Sequence, residues 1–241
     1  MRHIWLIFKR ELAAYFTSPI AYFVAFAILI LCGVAFNNDL AGRNGRQATD
    51  GAIIILYLAR WSIFFIPLIT MRLFAEENRE KTMELLMTLP IKDNAIVFGK
   101  FLGAWAYYTG VLALTLIYQA VLVWLSPPDM GNVFSAYLGV WLFGGAAIAI
   151  GMFCSALNEN QIVAAFLGVA VLLLLWQADS VGEVVNNSAF AEAIRALSFQ
   201  TNFIYSFGLG LVRLDHTVFF LAVMGVMIFL TIQLVESRRW R

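Results

Sequence analysis

Charge is scarce in this sequence. Only 13% of its 241 residues are Asp, Glu, Lys or Arg, against roughly 25% in an ordinary soluble domain. Hydrophobic residues make up 62% of it, against the usual 45–50% or so. Chain length limits how much apolar surface a water-soluble fold can bury, so lipid must be the solvent for most of the protein. Cysteine and histidine are nearly missing, with two of each. Cys32 and Cys154 each lie inside an apolar run, without metal-ligand spacing or a loop in which to pair. They read as small buried hydrophobes. His216 stands beside Asp215, a pair better read as a surface hydrogen bond than as acid–base machinery. No His-Glu-x-x-His or Gly-x-Ser-x-Gly occurs, so neither a metal site nor a catalytic constellation is expected. A phosphate-binding loop is missing too. Gly99-Lys100 is followed by Phe101 and has Asn94 where the first glycine would stand. The chain therefore binds no nucleotide cofactor of its own and is not expected to be an enzyme. A net charge of +1 leaves no electrostatic footprint for nucleic acid. Repeats and low-complexity linkers are lacking, so residues 1–241 read as one domain.

What is present is a series of continuous apolar runs, roughly 18 residues or longer, the length a membrane-spanning helix requires. A barrel would instead show alternating strands of about ten residues. The fold class expected is an all-α polytopic membrane protein with six transmembrane helices, at 20–36, 52–71, 95–125, 133–155, 161–178 and 217–235. Cationic residues set its direction. With a cytoplasmic N-terminus, the inner segments hold Arg2, Lys9, Arg10, Arg72, Arg79, Lys81, Lys92, Lys100, Arg238, Arg239 and Arg241. The outer segments hold Arg43, Arg46, Arg195 and Arg213. Eleven against four is a positive-inside bias that places both termini in the cytoplasm. No cleavable leader is expected, because Lys9-Arg10-Glu11 breaks the first apolar stretch.

Residues 1–18 read as an interfacial helix. At 100° per residue, Ile4, Trp5, Phe8, Leu12, Tyr15 and Phe16 share an arc of about 120°, with Arg2, Lys9, Arg10 and Glu11 off it. A plain amphipathic anchor and a contact for a soluble partner both fit that pattern. Residues 179–216 form an outer cap with a helical piece at 189–199. Its apolar stretch 201–212 would reach only about 18 Å as a helix, too little to cross, so a re-entrant hairpin bent at Gly208 and Gly210 is predicted. Gly144-Gly145 and Gly151 are expected to let helices pack closely. Arg60 lies within the second span, where a central arginine costs about 2.5–3.5 kcal/mol on insertion scales. It is an intramembrane polar candidate for function, or it snorkels to the outer headgroups.

Residues 72–94 are the exception to all this apolarity. The second span turns abruptly charged at Arg72 and stays helix-forming up to Pro90. Within 80–87, Met83, Leu86 and Met87 share one side while Glu80 and Glu84 lie on another, and methionine suits an adaptable groove on a partner. From composition alone this could be a wet connecting loop or a handle for a soluble protein. Pro67, Thr70-Met71-Arg72, Glu76-Glu77, Arg79, Thr82, Glu84-Leu85-Leu86, Leu89-Pro90 and Val97-Phe98-Gly99-Lys100-Phe101 resemble the pattern of ABC-2 type transporter permeases at this place. Lys81 stands where many of those relatives carry glycine. The turn Ala156-Leu157-Asn158-Glu159-Asn160-Gln161 is similar to the family's inner turn. Ser198–Phe203, Phe207-Gly208, Phe219-Phe220-Leu221 and Glu236-Ser237-Arg238-Arg239-Trp240 resemble its gliding-motility branch.

The resemblance implies an inner-membrane permease subunit of a bacterial ATP-driven transporter, acting in export or energy transduction. Its coupling helix would be seated on a separate ABC ATPase through Glu76, Glu77, Arg79, Glu80, Thr82, Met83, Glu84, Leu86 and Met87. It also implies two ATPase copies carrying the ATP and Mg, a second permease copy or a related permease, and a companion membrane subunit with a large extracytoplasmic domain. A mechanotransmitting scaffold that drives an extracytoplasmic partner without moving a substrate remains the other reading.

Overall fold

The computed structural model describes residues 2–42, 52–80, 92–125, 128–184 and 188–239, which are all-helical with no strand. Helix α1 (Arg2–Thr17) is followed by α2 (Pro19–Gly42). Pro19 lacks an N–H and is suited to a first helical turn, so the chain bends at Ser18 without leaving a donor orphaned there. Helix α3 (Ala52–Thr70) contains Pro67 and stops at Met71, and α4 (Arg72–Arg79) continues beyond it. Then come α5 (Asp93–Leu125), α6 (Met130–Leu157) and α7 (Gln161–Trp176). The short helices α8 (Ala178–Val184), α9 (Ser188–Ala196) and α10 (Phe199–Ile204) and a 3-10 turn (Phe207–Leu209) precede α11 (Leu214–Arg239).

Five helical stretches are long and apolar enough to cross a membrane by length and composition: α2, α3 with α4, α5, α6 and α11. The stretch 161–178, expected as a crossing, is the 16-residue α7, about 24 Å long against a hydrocarbon core of about 30 Å.

Helix α6 is the centre of the bundle, buried along nearly its whole length. Lipid gives helices no hydrophobic reason to associate, so close van der Waals contact must hold them, and small residues permit it. A methyl group on Gly144 would collide with the Tyr108 ring of α5, and one on Gly151 with Thr70 of α3. On Gly145 it would lie 2.8 Å from Met224 Cε of α11. Helices α2 and α11 instead turn large side chains outward, among them Tyr22, Phe23, Phe26, Val218 and Phe229, as lipid-facing surfaces do.

Helix α7 runs antiparallel to α6 and covers only part of it. Its Gly168 meets the Cα of Gly151, and its last residue, Trp176, stands edge-on to Phe143 at 5.8 Å. Phe199, the first residue of α10, meets the same Phe143 ring at 5.6 Å. From there the chain continues along α6. The Ser135 hydroxyl donates to the Phe207 carbonyl (3.2 Å), and Gly210, at φ +80°, sits against Asn132. Helices α7 and α10 thus cover consecutive parts of α6, with α8 and α9 between them in the chain. The chain bends at Gly210, a conformation that favours glycine, and the other limb of the bend is the start of α11. The His216 ring and the Asn202 amide join the two limbs at 2.6 Å. Polar backbone freed at the break finds partners nearby, as membrane depth requires. Asn202 Nδ2 donates to the carbonyls of Ala196 (3.0 Å) and Ser198 (2.8 Å), and Ser198 Oγ caps Thr201 N–H (3.2 Å).

Candidate functional site

The charged end of the bundle is built around α4. A helix start leaves backbone N–H groups without partners, and here another helix supplies them. Ser155 Oγ, near the end of α6, accepts from Phe74 N (3.1 Å) and Ala75 N (3.0 Å) and donates to the Met71 carbonyl (2.8 Å). All three bonds are buried or half-buried. Loss of that hydroxyl would strand two donors, at about 1–3 kcal/mol for a buried unsatisfied group. Farther along, Asn78 Nδ2 donates to the Asn158 carbonyl at 3.3 Å, tying α4 to the turn between α6 and α7. Asn160 opens α7 by accepting from Ile162 N (2.9 Å).

On its other side α4 meets α1 and α5 through charge. Lys100, its side chain only 2% exposed, donates to Glu77 (2.9 Å) and Glu11 (3.1 Å), and its ammonium lies 5.3 Å from the centre of the Phe74 ring. Arg10 reaches the same two carboxylates, at 2.8 Å from Glu11 and 3.1 Å from Glu77. Burial pushes the Glu11 carboxyl upward, but Lys100 and Arg10 outweigh it and hold the group below its usual 4.5. Glu11 is therefore ionised at neutral pH. Arg72 clasps Glu76 with two nitrogens (2.8 and 3.1 Å) and Ser18 with a third (2.7 Å). Burial works against the Arg10 charge, yet Glu11 and Glu77 together raise its pKa.

The first helix is packed against protein along one face. Gly99 and Gly103, one turn apart on α5, lie beneath it, and a methyl group on either would approach Ile7 Cβ (2.7 Å) or Glu11 Cβ (2.8 Å). Tyr15 stacks on Tyr107 at 4.8 Å and donates to the Ile69 carbonyl at 3.0 Å. Trp5, Leu6 and Phe16 remain exposed. The helix therefore both presents an apolar surface and docks on the bundle.

Of the residues singled out from sequence, Glu76 and Glu77 lie in this network and help fix α4. Arg79 and Glu80 are exposed at its end, 3.9 Å apart. Arg79 also borders a groove of about 520 Å³ with Glu159, Asn160, Gln161 and Ile162. Thr82, Met83, Glu84, Leu86 and Met87 lie outside the described residues. Arg60 belongs elsewhere, exposed at a cavity near the break between α7 and α10. The joint roles of Glu11, Lys100 and Ser155 are not legible in the sequence. A lysine between two glycines four residues apart was the available signal for the first pair; a lone serine at a helix end offers none.

No curated protein matches the chain. The family model described as ABC-2 family transporter protein matches residues 37–236, a stretch that takes in α3 to α7, the α4 platform and most of α11. A multi-pass helical bundle with one charged, rigidly seated helix end, matched over most of its length, belongs to the ABC-2 family of transporter membrane proteins.

Proposed function

We propose that this chain is the permease subunit of an ATP-driven ABC-2 transporter in a bacterial inner membrane, coupled to a separate ATPase. The observation that carries this reading is the mounting of α4. It leaves the bundle as an extension of α3 and is tied to α6 through Ser155, to α5 through Lys100 and to α1 through Glu11 and Arg10. A push on the residues after Arg79 would thus reach three membrane helices and the N-terminal helix together. In this reading the loop 72–94 carries the coupling helix, with the ATPase contact at 80–87, and ATP and Mg are bound by the partner. Two permease chains and two ATPase copies form the unit, with a companion membrane subunit engaging the opposite face. Helices α7 and α10 together make a split fifth crossing, which brings the total to six and both termini to the cytoplasm.

Attachment is tested by co-expression with the partner ATPase. Met83→Asp with Leu86→Asp should lower ATPase co-purification at least about tenfold while membrane insertion is unchanged, since two apolar side chains that this reading seats in a groove of the ATPase are each replaced by a charge. Undiminished co-purification would refute the coupling-helix assignment. A liposome assay with the assembled complex then separates transport from the mechanotransmitting alternative.

Orientation is tested by labelling. Both native cysteines are buried, so single cysteines introduced at Asn44 and Asn78 can be read separately. The first should react from outside intact cells and the second only after permeabilisation. The reverse pattern would put the charged end where no cytosolic ATPase could reach it.

A further inference from the structure

Arg60 lies eight residues into α3, about 12 Å along its axis from Ala52. Its side chain shares a cavity with Asp39, close to the end of α2, and a charge near that boundary still gains from a counter-ion. Among the described residues it nonetheless makes no hydrogen bond or ion pair, and it is exposed. It faces a cavity of about 450 Å³ lined also by Asp39, Tyr57, Trp176, Gln177 and Gln200. Gln177 follows the last residue of α7, and Gln200 lies in the first turn of α10, so the cavity opens where the two helices fall short of each other. Breaks in membrane helices are where transport proteins place polar groups for a ligand.

We propose that this cavity binds the phosphate of an amphiphile, with Arg60 as its charged partner. Guanidinium donors suit phosphate oxygens because two parallel bonds can form. Two amide side chains, Gln177 and Gln200, supply neutral donors, and Tyr57 and Trp176 give the apolar part a wall to lie against. Asp39 is already engaged, and its carboxylate in the lining disfavours ligands carrying several negative charges. A headgroup phosphate would neutralise Arg60 where it stands. That the amphiphile is cargo rests on the permease reading; its binding does not.

The test is retention of phosphatidylglycerol by the full chain, purified in detergent without any ATPase and followed by native mass spectrometry. Wild type should hold one phosphatidylglycerol and no diacylglycerol, which lacks the phosphate. Arg60→Gln should weaken retention about tenfold or more, the worth of a charge-assisted bond. Arg60→Lys should keep part of it, and Gln200→Leu should weaken it about threefold with the charge intact. Competition by millimolar glycerophosphoglycerol, which carries the same singly charged phosphodiester without acyl chains, would assign the site to soluble phosphate compounds, and its failure to compete would assign it to a lipid. Equal retention of diacylglycerol overturns the proposal, as does retention unchanged in Arg60→Gln. If that variant does not fold, unchanged retention in both Arg60→Lys and Gln200→Leu overturns it equally. The permease reading is decided separately, by co-purification with the ATPase.

Discussion

Lys100→Met should lower stability by about 3–5 kcal/mol, the loss expected when one partner is removed from a buried ion pair. Methionine fills a similar volume, so packing is little changed. What changes is that Glu11 and Glu77, both mostly buried, are left facing each other with Arg10 as their shared cation. Arg10 is half exposed and cannot reproduce the buried contact. The measurement is the unfolding midpoint of the detergent-purified chain. The same argument predicts a rescue. Adding Glu11→Gln and Glu77→Gln should restore most of the stability, because the charges left uncompensated are then gone. A single variant as stable as wild type, or a triple variant no better than the single, would show that the network does not hold α4 in place. The rescued protein should still bind the ATPase less well if the network orients α4 as well as stabilising it.

Gly144→Ala should also be damaging, although it adds only one methyl group. The position that methyl would take is filled by the Tyr108 ring, which is fully buried and held by a 3.1 Å hydrogen bond to Ser62 on α3. The ring cannot swing aside without breaking that bond, and α6 cannot retreat without loosening its contacts with α3, α7 and α11. Overpacking of this kind costs about 1–3 kcal/mol. In a Tyr108→Leu background the same glycine substitution should lose less than half as much, since contacting residues couple strongly. Additive losses in the two backgrounds would mean that the helices are not in contact here.

Both effects show where a linear reading stops. Apolar runs of sufficient length dictate helices in lipid, because backbone groups there must be satisfied within the segment. The helical class, the membrane location, the turn at 156–161 and the charged departure at Arg72 were therefore legible along the chain. Glycines at 144, 145 and 151 could be marked as contact points, but not matched to Tyr108, Met224 and Thr70. The platform of α4 was legible only as a charged helix. Its holders come from Glu11, Lys100 and Ser155, up to 89 positions distant from one another in their bonded pairs. Hydropathy carries no information on such pairings, because any buried carboxylate satisfies any nearby ammonium.

The region after α7 shows the same limit. Sequence alone determined that 201–212 is apolar, too short to cross and able to bend at Gly210. Tertiary structure alone decided that α10 takes up where α7 stops, since both rest on one ring, Phe143, contributed by α6. It also decided that the resulting gap faces Arg60. Helix formation is local, so spacing reveals it. Which helix ends meet depends on close packing across the whole bundle, and that is settled only when all the helices are in place.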